Sequence, residues 1–189
     1  MDIITSKEML EWEYEQACRF ESNINEHLPI LHAYASKCRH VTEFGIQYGW
    51  STRALLASFP EVLVSVEIRP IRPYVEALSE WVEPHLTTWK IINGDTLQTC
   101  IEETDLLLID SLHQYAHLKK ELELHADKVR KFLIFHDTVT FGSIDEGSRK
   151  PLGIRKAILE FLVDNPHWTM QVEYQNNNGL IILKRNSLT

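Results

Sequence analysis

Short apolar runs alternate with longer amphipathic segments over most of the chain. Five runs rich in Val, Ile, Leu or Phe predict strands: HVTEFG, VLVSVE, TTWKII, DLLLID and KFLIFHD. Between them, apolar residues recur at helical spacing over residues 51–59, 71–82 and 115–129. This alternation predicts a parallel α/β sheet with helices on both faces, and a ligand site beyond the carboxyl ends of the strands.

The two ends of the chain depart from the alternation. Residues 6–38 have helical periodicity, broken near ESNINEH and Pro29, so residues 1–38 are predicted to be an N-terminal helical appendage. After a predicted helix over 152–164, the runs WTMQVEYQ and GLIILKR are separated by NNN and Gly179, which is typical of a hairpin. Residues 39–189 are therefore predicted to form one globular unit whose parallel sheet is closed by an antiparallel hairpin.

Composition narrows the possible partners. The 189 residues include 19 Lys and Arg against 27 Asp and Glu, a formal net charge of −8, with no long basic run, which argues against nucleic acid. No apolar run approaches the roughly 20 residues that span a bilayer, and the N-terminus lacks a secretory signal, so we expect no membrane partner and a cytoplasmic location. The three scattered cysteines are expected to be reduced. A small-molecule substrate is favoured, and a homodimer stays open.

The stretch HVTEFGIQYGWSTRALL places Glu43, Gly45 and Gly49 between the first strand and a helix that begins near Ser51. Glycines at such a turn leave backbone amides open to a ligand. The spacing does not match G-x-G-x-x-G, and the Lys of a phosphate loop is missing. Glu67 ends the next strand, where an acid accepts hydrogen bonds from a ribose diol. The pattern predicts a ligand that contains a ribose, at a site without strong provision for binding a phosphate.

S-adenosylmethionine fits that description, since it has a ribose, an adenine and a cationic amino-acid end. Together with NGDTL, the turn resembles that of class I S-adenosylmethionine-dependent methyltransferases, over about residues 40–185. The resemblance implies a Rossmann-like, doubly wound sheet of seven strands that ends in an antiparallel hairpin. The implied cofactor contacts are Glu43, Gly45, Gly49 and Ser51 at the methionine end, Glu67 at the ribose, and Asp95 and Thr96 at the adenine. The alternatives are a ligand-free tight turn for the glycines, and a turn with a helix cap for Asp95.

A second pair of motifs, DLLLIDSLHQY and KFLIFHDTVTFG, ends the fourth and fifth strands. It resembles a branch of that family with small-molecule and sugar O-methyltransferases of the macrocin and cephalosporin types. The resemblance implies a divalent-metal site at Asp110, His136 and Asp137, with His113 as general base and Asp110 both catalytic and close to the cofactor. A metal lowers the pKa of an acceptor hydroxyl while a base removes its proton. Because His136 stands where relatives often carry an acid, the site has fewer of the oxygen ligands that Mg²⁺ prefers, which favours Mn²⁺, Fe²⁺ or Zn²⁺ over Mg²⁺. A metal-free site stays open, with His136 as a strand-end side chain bonded to a neighbouring loop.

The predicted function is transfer of a methyl group from S-adenosylmethionine to a hydroxyl oxygen of a small molecule or sugar. Two alternatives remain: a metal-dependent hydrolase built on the same Asp and His residues, and a non-catalytic methyltransferase-like module. The segment TVTFGSIDEGSRK is either a surface connection or a lid over the substrate. The segment KKELE is expected to be a charged helix face.

Overall fold

One seven-stranded mixed sheet forms the centre of the protein. The computed structural model describes residues 5–148 and 150–186. The strands are β1 (His40–Phe44), β2 (Val62–Glu67), β3 (Thr88–Asn93), β4 (Thr104–Ile109), β5 (Val129–His136), β6 (Trp168–Tyr174) and β7 (Leu180–Arg185). Their order is β3-β2-β1-β4-β5-β7-β6. The first five strands are parallel, and β7 is antiparallel to both β5 and β6. The predicted Rossmann-like sheet with a closing hairpin is confirmed.

Burial explains why the central strands are continuous apolar runs. Every residue of β4 is buried, as are all but the first residues of β1 and β2, because helices cover both faces of the sheet. The edge strand β3 has no buried residue and alternates exposed with half-buried positions. The hydrophobic pattern of a strand therefore indicates whether the strand lies at the centre or at the edge of the sheet.

Two apolar layers lie on the two faces of the sheet. The α-helices are α1 (Ser6–Arg19), α2 (Leu28–Ala35), α3 (Trp50–Leu56), α4 (Pro73–Glu76), α5 (Tyr115–His125) and α6 (Ile154–Asp164). Leu10, Leu31 and Leu55, from α1 to α3, belong to one buried cluster with Leu106 of β4. Helices α5 and α6 contribute to the cluster on the other face. The division at residue 38 stays a prediction, but both N-terminal helices share their apolar layer with α3 and the sheet.

The helix after β2 is shorter than the sequence predicts. The helix predicted over 71–82 is a single α-turn, Pro73–Glu76, followed by a 3₁₀ segment, Ala77–Trp81. Among the described residues, no helix is both long and apolar enough to cross a membrane.

Candidate active site

A cavity of about 450 Å³ opens at the carboxyl ends of the parallel strands. All five parallel strands contribute to its lining, with one residue each at or just after the strand end: Gly45, Glu67, Asp95, Asp110 and Asp137. Open α/β sheets bind ligands in this crevice, and the volume suits a small organic molecule. The cavity therefore gathers acids and a glycine that lie far apart in the sequence.

The glycine turn after β1 is required by packing. Gly45 has φ +89°, and a Cβ there would lie 2.2 Å from the carbonyl oxygen of Asp110. Only glycine lets the β1 loop pass this close to the end of β4. Gly49, with φ +69°, precedes α3 and lies against Val75. Gly45 lines the cavity, so its backbone is in a position to meet a ligand as well.

Glu43 and Ser51 lie beneath this turn. Glu43 is fully buried and accepts hydrogen bonds from three hydroxyl groups: Ser51 at 2.6 Å, Thr52 at 2.8 Å and Ser65 at 2.9 Å. Burial raises the pKa of Glu43 to about 7, although the three donors favour its ionised form. The described residues that line the cavity do not include Glu43 or Ser51. The predicted contact of both residues with the methionine end stays a prediction, and in this structure the Glu43 carboxylate and the Ser51 hydroxyl bond to each other.

Glu67 ties the β1 turn to the end of β2 while it lines the cavity. Its Oε2 accepts hydrogen bonds from the backbone N–H groups of Ile46 (3.0 Å) and Gln47 (2.9 Å), and its Oε1 accepts from Arg69 N–H (2.9 Å). A carboxylate has about four acceptor positions, so one position on Oε1 remains. Glu67 can thus accept one ribose hydroxyl, where the sequence predicted two hydrogen bonds.

Asp95 and Thr96 line the cavity beyond β3. Asp95 Oδ1 accepts a hydrogen bond from Leu97 N–H at 2.9 Å, and Asp95 Oδ2 accepts one from the Gln98 side chain at 3.3 Å. These bonds match the alternative role for Asp95, a turn with a helix cap. The Thr96 hydroxyl donates to Glu121 Oε1 at 2.6 Å. Both residues border the cavity, but their side chains already serve the local structure.

On the opposite side of the cavity, His113 lies among three carboxylates. Its Nε2 is 3.1 Å from Asp110 Oδ1 and 3.4 Å from Asp137 Oδ2, and its Nδ1 is 2.9 Å from Glu146 Oε2. The ring stacks on Phe141 at a centroid distance of 5.0 Å. Burial alone would lower the pKa of His113, but the carboxylates outweigh it and raise the pKa to about 9. The imidazole is consequently protonated at neutral pH in this arrangement.

His136 supports this cluster from the end of β5. The residue is fully buried, with Nδ1 3.2 Å from Asp110 Oδ1 and Nε2 3.1 Å from the Asn23 carbonyl oxygen. Both ring nitrogens therefore face acceptors, which favours the doubly protonated ring. Burial opposes this charge, but Asp110 and Asp137 outweigh it and raise the pKa of His136. Burial likewise raises the pKa of Asp137. Burial would also raise the pKa of Asp110, but His136 and His113 outweigh it and hold this pKa well below its usual range.

The comparison with known families decides the class of protein. A family model described as a methyltransferase domain matches residues 42–138, just over half of the chain. The chain belongs to this methyltransferase family. The match includes the glycine turn, Glu67 and the whole Asp110–Asp137 cluster, and the class predicted from the motifs is confirmed.

Solved structures share the fold of this methyltransferase. A putative O-methyltransferase from Klebsiella pneumoniae is 16% identical, with a TM-score of 0.64 over 99% of this chain and 92% of that one. The O-methyltransferase TomG from Streptomyces achromogenes, in complex with S-adenosylmethionine, is 18% identical, with a TM-score of 0.67 over 95% of this chain and 90% of that one. An O-methyltransferase from Bacillus cereus, in complex with S-adenosylhomocysteine, is 16% identical, with a TM-score of 0.64 over 96% and 90%. No curated protein matches the sequence.

The residues that the structure groups as candidate metal ligands differ from the predicted set. Asp110, His113 and Asp137 each offer a ligand atom, and these atoms all lie within 4.8 Å of one another. His136, predicted as a ligand, has both nitrogens directed to Asp110 and to backbone carbonyls instead. Two carboxylates and an imidazole suit a divalent cation, and the buried Oδ1 of Asp137 has no hydrogen-bond partner among the described residues. The set fits a metal, and His113 would then be a ligand in its neutral form.

The loop after β5, predicted to be either a surface connection or a lid over the substrate, carries two residues that line the cavity. Phe141 and Glu146 line the cavity beside His113. The loop is docked by Asp145, whose Oδ1 accepts from the N–H groups of Tyr115 (2.7 Å) and Gly153 (3.2 Å). Arg149, in the same loop, lies outside the described residues. Only the mixed aromatic and acidic composition of this loop could have indicated such a role.

Proposed function

We propose that this methyltransferase domain transfers the methyl group of S-adenosylmethionine to a hydroxyl oxygen of a small molecule. One observation carries the proposal: a single cavity has Glu67 and the Asp95 turn on one side and the cluster around His113 on the other. The first side offers acceptors for a ribose and a base. The second side offers a histidine held in place for proton transfer.

The charges at the centre of the cavity suit the cofactor. When bound, S-adenosylmethionine supplies an electrophilic methyl group on a cationic sulfur. Asp110 and Asp137 line the cavity on the side of His113 and carry negative charge that attracts such a cation. Gly45 leaves the adjoining backbone uncovered. These residues would hold the cofactor, and its methyl group would be transferred on the side of the cavity that His113 and Phe141 line.

Proton transfer is the task of His113. Glu146 accepts at Nδ1, so the neutral ring keeps its proton on that nitrogen and Nε2 is the atom that exchanges a proton with an acceptor hydroxyl. Because the pKa of His113 is raised to about 9, the basic form becomes abundant only in alkaline solution. The rate of a metal-free reaction should therefore rise with pH up to about that value.

A metal-assisted form of the same reaction is a second candidate. It is supported by the grouping of Asp110, His113 and Asp137 and by the unpartnered oxygen of Asp137. A cation at these ligands would displace the proton of His113, which would then act as a neutral ligand and not as the base. The cation would lower the pKa of the acceptor hydroxyl enough for its proton to pass to solvent. The hydrolase alternative loses support, because the match to the methyltransferase family includes the residues it would use.

The test is methyl transfer from radiolabelled S-adenosylmethionine to a panel of catechols, other phenols and sugars. The reactions are run from pH 7 to 9.5, with Mn²⁺, Mg²⁺ or EDTA. We expect transfer to at least one hydroxyl acceptor, and a loss of about 100-fold or more in His113→Gln. His85→Gln is the matched control, since His85 is an exposed histidine far along the chain from the cluster. Tight binding of S-adenosylhomocysteine without transfer to any acceptor would favour the non-catalytic module instead.

A further inference from the structure

Glu121 of α5 is a buried acid at the edge of the cavity. It belongs to the KKELE segment that was expected to be a charged face, yet it is 0% exposed. Three donors meet its Oε1: the Thr96 hydroxyl at 2.6 Å, the Ser111 hydroxyl at 2.7 Å and His117 Nε2 at 3.1 Å. Its buried Oε2 has no hydrogen-bond partner among the described residues. An acid is costly at such a position unless it organises its neighbours.

The three donors are also cavity residues. Thr96, Ser111 and His117 all line the cavity, next to the Asp95 turn. A hydroxyl has one proton, so a hydroxyl that donates to Glu121 can only accept on its other side. A neutral imidazole that donates from Nε2 likewise has Nδ1 as an acceptor. Glu121 thus turns the two hydroxyls, which could donate or accept, into acceptors toward the cavity, and His117 completes this wall of acceptors when its ring is neutral.

We propose that Glu121, acting through Thr96, Ser111 and His117, makes this end of the cavity select a purine with an exocyclic amino group. The inference rests on the proposed function, because it identifies this end as the adenine site. The 6-amino group of adenine donates two hydrogen bonds, which match a wall of acceptors. A 6-oxo purine places a carbonyl oxygen at the same position and leaves acceptors facing one another. Glu121 is therefore a positioning residue for cofactor specificity.

The experiment compares S-adenosylhomocysteine with S-inosylhomocysteine, in which a carbonyl oxygen replaces the 6-amino group and the adjacent N1 carries a proton, by titration calorimetry. It is made at a series of pH values up to 9.5, because a protonated His117 ring would donate from Nδ1. Burial alone would lower the pKa of His117, but Glu121 outweighs burial and raises it. The wild type should bind the adenosyl ligand about 10- to 100-fold more tightly. In Glu121→Gln the carboxamide can itself donate, which frees the two hydroxyl protons to turn toward the cavity. The preference should fall to a few-fold.

Glu123→Gln is the matched control, because Glu123 is an exposed acid on the same helix that pairs with Lys120. This variant should keep the wild-type preference. Equal binding of both ligands by the wild type, or an unchanged preference in Glu121→Gln, would overturn the inference and leave the proposed function standing. Binding of neither ligand by the wild type would overturn both.

A second variant covers the case in which Glu121→Gln does not fold. Thr96→Val combined with Ser111→Ala removes two members of the wall and keeps the acid. It should weaken the adenosyl ligand about 10-fold or more and change the inosyl ligand little. Equal losses for both ligands would contradict the inference.

Discussion

Glu146 offers a direct way to change the pKa of His113. Replacing Glu146 by Gln preserves the shape of the side chain but removes one of the three negative charges around the imidazole. The pKa of His113, which its surroundings raise to about 9, should then fall. The variant isolates the contribution of the loop after β5, because Asp110 and Asp137 remain in place.

The structure sets the size of this change. Glu146 Oε2 lies 2.9 Å from His113 Nδ1, and a hydrogen bond to a charged group contributes about 1.5 to 3 kcal/mol. The side chain of Glu146 is 37% exposed, so screening by solvent favours the lower end of that range. One pKa unit corresponds to about 1.4 kcal/mol. The expected decrease is therefore about one unit.

The assay is an NMR titration of the histidine Cε1–Hε1 signals between pH 5.5 and 10.5, with the signal of His113 assigned from its absence in His113→Asn. Glu123→Gln is the control for a general change of surface charge, and it should leave the pKa of His113 unchanged. A His113 pKa near the ordinary value of 6.5 in the wild type, or no decrease in Glu146→Gln, would refute this account of the cluster.

Three further predictions concern the turn, the buried acid and the metal site. Gly45→Ala should lower the free energy of unfolding by about 3 kcal/mol and abolish S-adenosylhomocysteine binding, since the new Cβ would meet the Asp110 carbonyl. Denaturant unfolding and titration calorimetry test this, and a variant that binds S-adenosylhomocysteine as tightly as the wild type would contradict it. Burial raises the pKa of Glu43 in the folded state, so its contribution to the free energy of unfolding is complete below pH 4.5 and is lost as the pH rises to about 7. Relative to Glu43→Gln, the wild type should lose on the order of 3 kcal/mol of unfolding free energy across that window, and parallel curves of stability against pH would contradict the shift. At pH 8, Mn²⁺ binding should release about one proton, measured by calorimetry in buffers of different ionisation enthalpy; binding without proton release would exclude His113 as a ligand.

The fold was predictable because the relevant signals are local. A strand buried on both faces must be apolar along its length, as β4 is, and the Asn-rich turn before Gly179 indicates a hairpin without knowledge of the rest. The backbone at Gly45 requires a residue without a Cβ, so the glycine turn was visible in the same way. These features depend on a few neighbouring residues in the chain.

The details of the site were not predictable because they depend on distant contacts. Glu146 meets His113 across 33 positions of the chain, and Glu121 meets Thr96 across 25. Neither acid can be distinguished from a surface acid by its neighbours in sequence. The contacts of His136 also depend on distant residues, since its partners include the carbonyl of Asn23 from the N-terminal segment. The choice between ligand and support is made by tertiary packing.

The most direct test of the central claim is a crystal structure of the protein with S-adenosylhomocysteine. The account predicts a ribose hydroxyl within hydrogen-bond distance of Glu67 Oε1, the adenine beside Thr96 and His117, and the sulfur on the side of Asp110 and His113. Crystals grown at millimolar ligand with nothing bound in the cavity, or a ligand whose sulfur lies on the side of Asp95, would contradict it.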